Sequence, residues 1–231
     1  MAVTRDEIVA AALALLDEAG LDGLTLRRLA DRLGIRAPTL YWHVRDKREL
    51  LDLVASAIMD QALAGWREPR PGQAWWDWLA GRARVMRSAL LAHRDSAMIL
   101  AGNRPTGQAL PGIERQLQAL TGAGFSPPDA MLALQALNAY VIGEVLDTQG
   151  EAARRAAAPA PSQADGPTPA PSQADGPAPM GAAFPLISAA LAALEPFGSS
   201  DQRFEHGLAL IITGLRQRRD GAGPDGPTPR K

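Results

Sequence analysis

Apolar side chains recur along this chain at steps of three and four, and the stretches that keep this rhythm are divided by Gly, Pro and short polar caps. Thr4-Arg-Asp-Glu7 has the spacing of a capping box, in which a hydroxyl and a carboxylate each satisfy an amide that the first helical turn leaves open. Behind it Ile8, Ala11, Ala12, Leu15, Leu16 and Ala19 follow at helical spacing until Gly20 stops the run. Thr25 is placed to cap a short second helix that turns Leu29, Ala30 and Leu33 inward and ends at Gly34. A third short helix is predicted from Pro38 to His43. Asp46-Lys-Arg-Glu49 repeats the capping-box spacing and opens a longer helix through Leu50, Leu51, Val54 and Ile58 towards Gly65.

After a Pro/Gly break at 69–72 the helices lengthen. One is predicted over 74–93, carrying Trp75, Trp76, Trp78, Leu79, Met86, Leu90 and Leu91. Its tryptophans suit either a packing surface or a ligand platform. Shorter helices cover 95–101 and 106–122, and a long one starts at Ser126-Pro-Pro128 and reaches about Arg155. Residues 160–169 (APSQADGPTP) repeat almost unchanged as 170–179 (APSQADGPAP). This stretch is too rich in Pro and too poor in apolar residues to bury a core, so 159–179 is expected to be a disordered or PPII-like linker. Helices at 182–194 and 201–218 complete the pattern. No segment alternates as a strand would, and the fold class is all-α. The expected domains are a head at 1–48, a connecting helix at 49–65, a body at 66–218 and a flexible tail at 219–231.

Composition narrows the class. The 231 residues are 46% hydrophobic, and no apolar run approaches the ~20 residues of a membrane span. There is no Cys, which excludes a disulfide framework or thiolate metal site. The first residues lack the apolar core of a signal peptide, and a cytoplasmic, non-membrane protein is expected. The three histidines, His43, His93 and His206, are scattered, and no nucleotide-binding or hydrolase motif appears, so no catalysis is expected.

The net charge of −1 conceals a local asymmetry. Arg27, Arg28, Arg32, Arg36, Arg45, Lys47 and Arg48 face only Asp31 and Asp46 within 25–48, a surplus of five positive charges. This is either a phosphate-binding surface or a solvated face laced with ion pairs. The same stretch has the parts of a helix-turn-helix: two short helices, a glycine turn and a second helix whose early residues are free to reach base edges. Leu29, Leu33, Ile35 and Leu40 would form its small core, leaving Arg36, Ala37, Thr39, Tyr41 and His43 towards a groove. Arg27 is long enough to reach guanine, and Lys47 can meet phosphate together with the amides of its helix.

The string Leu24-Thr-Leu-Arg-Arg-Leu-Ala-Asp-Arg-Leu-Gly-Ile-Arg-Ala-Pro-Thr-Leu-Tyr-Trp-His-Val-Arg-Asp-Lys-Arg-Glu-Leu-Leu51 closely resembles the DNA-binding domain of the tetracycline repressor (TetR) family. Leu90-Leu-Ala-His-Arg-Asp-Ser-Ala, Gly102-Asn-Arg-Pro-Thr106, Gln116-Leu, Gly124-Phe-Ser126 and Leu208-Ala-Leu-Ile-Ile-Thr-Gly-Leu215 extend the resemblance into the body. It implies a homodimer that binds a palindromic double-stranded operator and is released by a small organic effector. The family's DNA contacts map onto Thr25, Arg27, Pro38, Thr39, Tyr41, His43 and Lys47. Ala37 replaces a glutamine that reads adenine in the tetracycline repressors, so a different operator sequence is expected.

The tetracycline repressors hold their drug as a magnesium chelate, with a histidine on the metal. The matching residue here is Leu100, which cannot coordinate a hard cation. Asp147 matches a second-shell acid from the other subunit. Leu63 and Arg82 match a histidine and an asparagine that grip the drug, and Met86 matches a phenylalanine. No cofactor or metal is therefore expected, and the effector should not be magnesium–tetracycline. By the same resemblance Leu63, Met86, Leu100, Ile113, Met131 and Leu134 would line an apolar pocket, with Arg82, Asn103, Arg104, Gln116 and Asn138 as polar contacts. Met86 and Met131 serve equally as core filling. Arg82 is the sharper clue: an inward guanidinium with no carboxylate of its own would suit an anionic or carbonyl-rich ligand. Arg104-Pro105 match a turn that shifts when effector binds, and the helix at 182–194 would reach the partner's pocket. Other readings fit the residues: a ligand-independent regulator, a co-repressor-dependent or activating one, or a small-molecule binding module with only non-specific affinity for DNA.

Overall fold

A computed structural model describes residues 3–64, 66–101, 109–157, 184–194 and 199–221. The duplicated segment 159–179, the Asn103, Arg104 and Pro105 positions and the end of the tail lie outside the described residues. Among the described residues there are ten helices and no strand: α1 (Arg5–Gly23), α2 (Leu26–Leu33), α3 (Ala37–Tyr41), α4 (Lys47–Leu63), α5 (Trp75–Leu91), α6 (Ser96–Ala101), α7 (Leu110–Gly122), α8 (Pro127–Ala157), α9 (Pro185–Leu194) and α10 (Ser200–Gly221).

Local chemistry sets most of these boundaries. Glu7 N–H donates to Thr4 Oγ1 at 3.2 Å and Thr4 N–H donates to Glu7 Oε2 at 2.8 Å, closing the capping box of α1. Before α4 the box is half made. Asp46 Oδ1 accepts from Glu49 N–H at 2.8 Å, but the Glu49 carboxylate turns back to Arg45 N–H at 2.9 Å. α10 runs on to Gly221, past the boundary expected at 218, so the helix takes in residues that the composition assigns to the tail.

α5 is the hub of the body. It buries Trp75, Trp78, Leu79, Ala83, Met86 and Leu90 and packs against α4, α8 and α10. Trp75 meets Phe125 edge-on with centroids 4.9 Å apart, and Trp78 donates its indole N–H to Arg67 O at 2.8 Å. The tryptophan cluster is therefore packing surface, not a ligand platform. Arg87, on the same helix, is buried but fully compensated: Nε donates to Glu144 Oε2 at 2.8 Å, Nη1 to Asp201 Oδ1 at 2.6 Å and Nη2 to Ser200 Oγ at 3.1 Å. Its guanidinium also lies 4.7 Å over the Phe204 ring, tying α5, α8 and α10 together.

Head and body share one continuous core, with α4 common to both. A polar mooring reinforces this junction. Leu21 N–H donates to Asp95 Oδ2 at 2.8 Å, Arg94 N–H donates to Asp17 Oδ1 at 3.1 Å, and His93 Nδ1 lies 3.0 Å from Asp17 Oδ2. Gly20, at φ 71°, makes the approach possible: a Cβ there would lie 2.7 Å from Asp95 Oδ2. The Gly20→Ala variant is expected to lose about 1–3 kcal/mol of stability in denaturant unfolding. An unchanged midpoint would contradict this account of the mooring.

Candidate DNA-reading head and effector cavity

The head is built as a helix, a tight turn and a second helix. Thr25 caps α2, its Oγ1 accepting from Arg28 N–H at 3.2 Å. Gly34 ends the helix in the left-handed region at φ 65°, and Ile35 N–H returns to Ala30 O at 3.1 Å. α3 begins at Ala37 with Pro38 in its first turn, where a missing amide costs nothing. Leu29 and Leu40 are buried between the two helices. Arg27, Arg36, Ala37, Pro38, Thr39 and Tyr41 are exposed and His43 is half-buried. Trp42 is 87% exposed at the end of α3, an apolar surface that sequence reasoning did not single out.

The basic cluster is partly committed within the protein. Arg32 forms a two-point ion pair with Glu18 at 2.6 and 2.7 Å, Arg45 pairs with Glu49 at 3.1 Å, and Arg48 lies 3.4 Å from Asp52. Hydrogen bonds from Arg32 hold the Glu18 carboxyl below its usual range, and those from the Arg45 amide and guanidinium do the same for Glu49. Lys47 Nζ donates to Leu21 O at 3.0 Å, leaving two of its three protons for another acceptor. The α4 amides that were expected to share a phosphate with Lys47 are partly used by Asp46. Arg27 and Arg36 have no carboxylate partner among the described residues.

A cavity of about 1140 Å³ lies between α4, the 66–71 segment, α5, α6, α7 and α8. Leu63, Arg82, Met86, Leu100, Ile113, Gln116 and Asn138 line it. Two positions expected in the lining, Met131 and Leu134, lie elsewhere, and Asp147 is expected only at the partner's pocket. The α8 stripe that faces the cavity is Gln135, Asn138, Ala139 and Ile142. Met131 lies one turn before that stripe and is exposed, and Leu134, rotated about 100° from Gln135, is buried in the core. Asp147 lies beyond the lining in α8 of this chain. Met59, on the inner face of α4, and Trp66, in the segment between α4 and α5 where no periodicity marks it, line the cavity without being expected there.

Arg82 is 3% exposed. Its Nη1 donates to Asn138 Oδ1 at 2.9 Å, its Nε is buried with no acceptor, and no carboxylate among the described residues pairs with it. Burial lowers its pKa to about 10, which still leaves it charged at neutral pH. Gln116 Nε2 donates to Gly112 O at 3.0 Å. These residues do not fit a magnesium chelate: Leu100 offers no lone pair, and a cation is already buried in the wall.

The two buried arginines of α5 should respond oppositely to one substitution. Arg82→Met is expected to stabilise the unliganded protein by roughly 1–4 kcal/mol and raise its unfolding midpoint, because it removes an uncompensated charge. Arg87→Met should destabilise it by about 3 kcal/mol and lower the midpoint, because Glu144 would lose its ion pair. Calorimetric melts of both variants check the pair, and a common sign would refute the distinction.

Two family profiles match the chain: "Bacterial regulatory proteins, tetR family" over residues 8–54 and "Tetracyclin repressor-like, C-terminal domain" over residues 68–219. The class A tetracycline repressor protein from transposon 1721 of Escherichia coli is 40% identical over 212 residues, spanning 92% of this chain and 90% of the relative. Among solved structures, class A TetR in complex with 5a,6-anhydrotetracycline and magnesium superposes with a TM-score of 0.66 at 34% identity, covering 93% of this chain and 99% of that one. The Streptomyces coelicolor TetR family protein ActR in complex with actinorhodin gives 0.71 at 31% identity, covering 94% and 96%. With both halves matched and a relative this similar along nearly its whole length, the chain belongs to the tetracycline repressor (TetR) family of transcriptional regulators.

Proposed function

We propose that the protein is a homodimeric repressor that binds a palindromic operator through α2 and α3 and is released by a lipophilic small-molecule effector other than magnesium–tetracycline. The observation that carries this reading is the continuity between cavity and head. Leu100 and Ala101 of α6 line the cavity, and Asp95, just before α6, holds Leu21 of α1. An effector that displaces α6 therefore acts on the mooring of the head, the kind of two-position element a ligand can bias. Large organic ligands in the class A repressor and ActR structures support an effector of similar bulk. The exposed apolar side chains of α8, α9 and α10, among them Leu132, Leu186 and Leu210, support a second copy as partner.

In the operator complex, the base-reading roles fall to Arg27, Arg36, Ala37, Pro38 and Thr39, with Thr25, Tyr41, His43 and Lys47 at the backbone. Met131, Leu134 and Asp147 take no part in this chain's own cavity. Gel-shift titration against the promoter regions of its own and neighbouring genes should show discrimination of about 10³ or more over random DNA. Arg27→Ala should reduce that discrimination by roughly tenfold or more without unfolding the head. Equal affinity for all sequences would overturn the regulator reading. In calorimetry, tetracycline with magnesium should give no micromolar binding, and magnesium-dependent binding would overturn the assignment of the effector.

A further inference from the structure

The cavity wall contains a charge that no carboxylate among the described residues neutralises. Arg82 is buried, yet its only described partner is the neutral Asn138 oxygen at 2.9 Å. An amide oxygen accepts one proton of the guanidinium but does not compensate its charge. Five residues along the same helix, Arg87 receives two carboxylates and a hydroxyl. Where an arginine of α5 serves the fold, counter-charge is built in. Where it faces the cavity, no described residue supplies counter-charge.

Two more observations point the same way. Trp66 lines the cavity with its ring against Gly81, where an added Cβ would lie 2.8 Å from Cη2, and its indole Nε1 is buried without an acceptor. Among the described residues the remaining charged lining groups are Arg67, Arg70 and Arg115 against Asp60 and Glu68, so with Arg82 the described cations outnumber the described acids by two. The other walls are apolar, including Leu63, Met86, Leu100 and Ile113.

We propose that the cavity selects a lipophilic organic anion, a fused-ring molecule bearing a carboxylate, whose charged oxygens seat on the Arg82 guanidinium beside Asn138. The rings take the apolar walls and the carboxylate supplies the missing counter-charge, in the two-point geometry that arginine offers. This rests on the reading of the body as an effector-binding domain and names the effector's chemical class. A neutral ester of the same ring system keeps the apolar contacts and loses the pairing.

The test is calorimetric titration of the full-length protein with pyrene-1-carboxylate and anthraquinone-2-carboxylate, each beside its methyl ester. At least one acid should bind, with its ester about tenfold weaker or worse, as expected for loss of a buried charge-assisted hydrogen bond. Arg82→Met should abolish the preference for the acid while leaving ester binding in place, and Arg82→Lys should restore part of it. The proposal is overturned if neither acid binds, if acid and ester bind equally in both pairs, or if the preference survives in Arg82→Met. Gel shifts run on the same samples keep the two readings apart. A protein that discriminates acid from ester but shows no sequence-specific DNA complex would sink the repressor reading alone, whereas operator binding with no acid preference would sink only this one.

Discussion

The junction between α1 and the α5–α6 turn is the constraint on which the two halves depend. Asp17 reaches from the head to Arg94 N–H and His93, and Asp95 reaches from the body to Leu21 N–H. Each carboxylate caps backbone that a helix end would otherwise leave open, so neither half satisfies its own polar groups alone. α4 packs on both sides of this junction, so head and body are joined by packing as well as by hydrogen bonds. In the proposed switch, a shift of α6 would reach α3 through this joint.

Elements governed by near neighbours along the chain are legible in the residues alone. The Thr4 box, the Thr25 cap, the Gly34 turn and Pro38 at the start of α3 are all local devices, and each forms where the residue types demand it. Gly20 reads in the sequence only as a helix stop. Its actual requirement is set by Asp95, which meets the adjoining Leu21 amide across 74 residues, beyond the reach of any pattern.

The cavity is legible in part for a similar reason. Helical periodicity identifies the buried side of α8 but cannot divide core from cavity when both lie on that side, so Leu134 and Asn138 look alike in the sequence. Trp66 carries no periodic mark at all. For Arg82 the sequence supports only a conditional statement, because whether a guanidinium is compensated depends on partners such as Asn138, 56 positions away.

The ion pairs of the head have a consequence for the search for a site. Arg32, Arg45 and Arg48 already sit on Glu18, Glu49 and Asp52, so a phosphate that takes one of them exchanges anion for anion. Such an exchange gains little from released counterions, the term that holds proteins on arbitrary sequence. Any non-specific hold on phosphate would therefore fall to Arg27, Arg36 and Lys47, cations of the head that no carboxylate of the described residues engages.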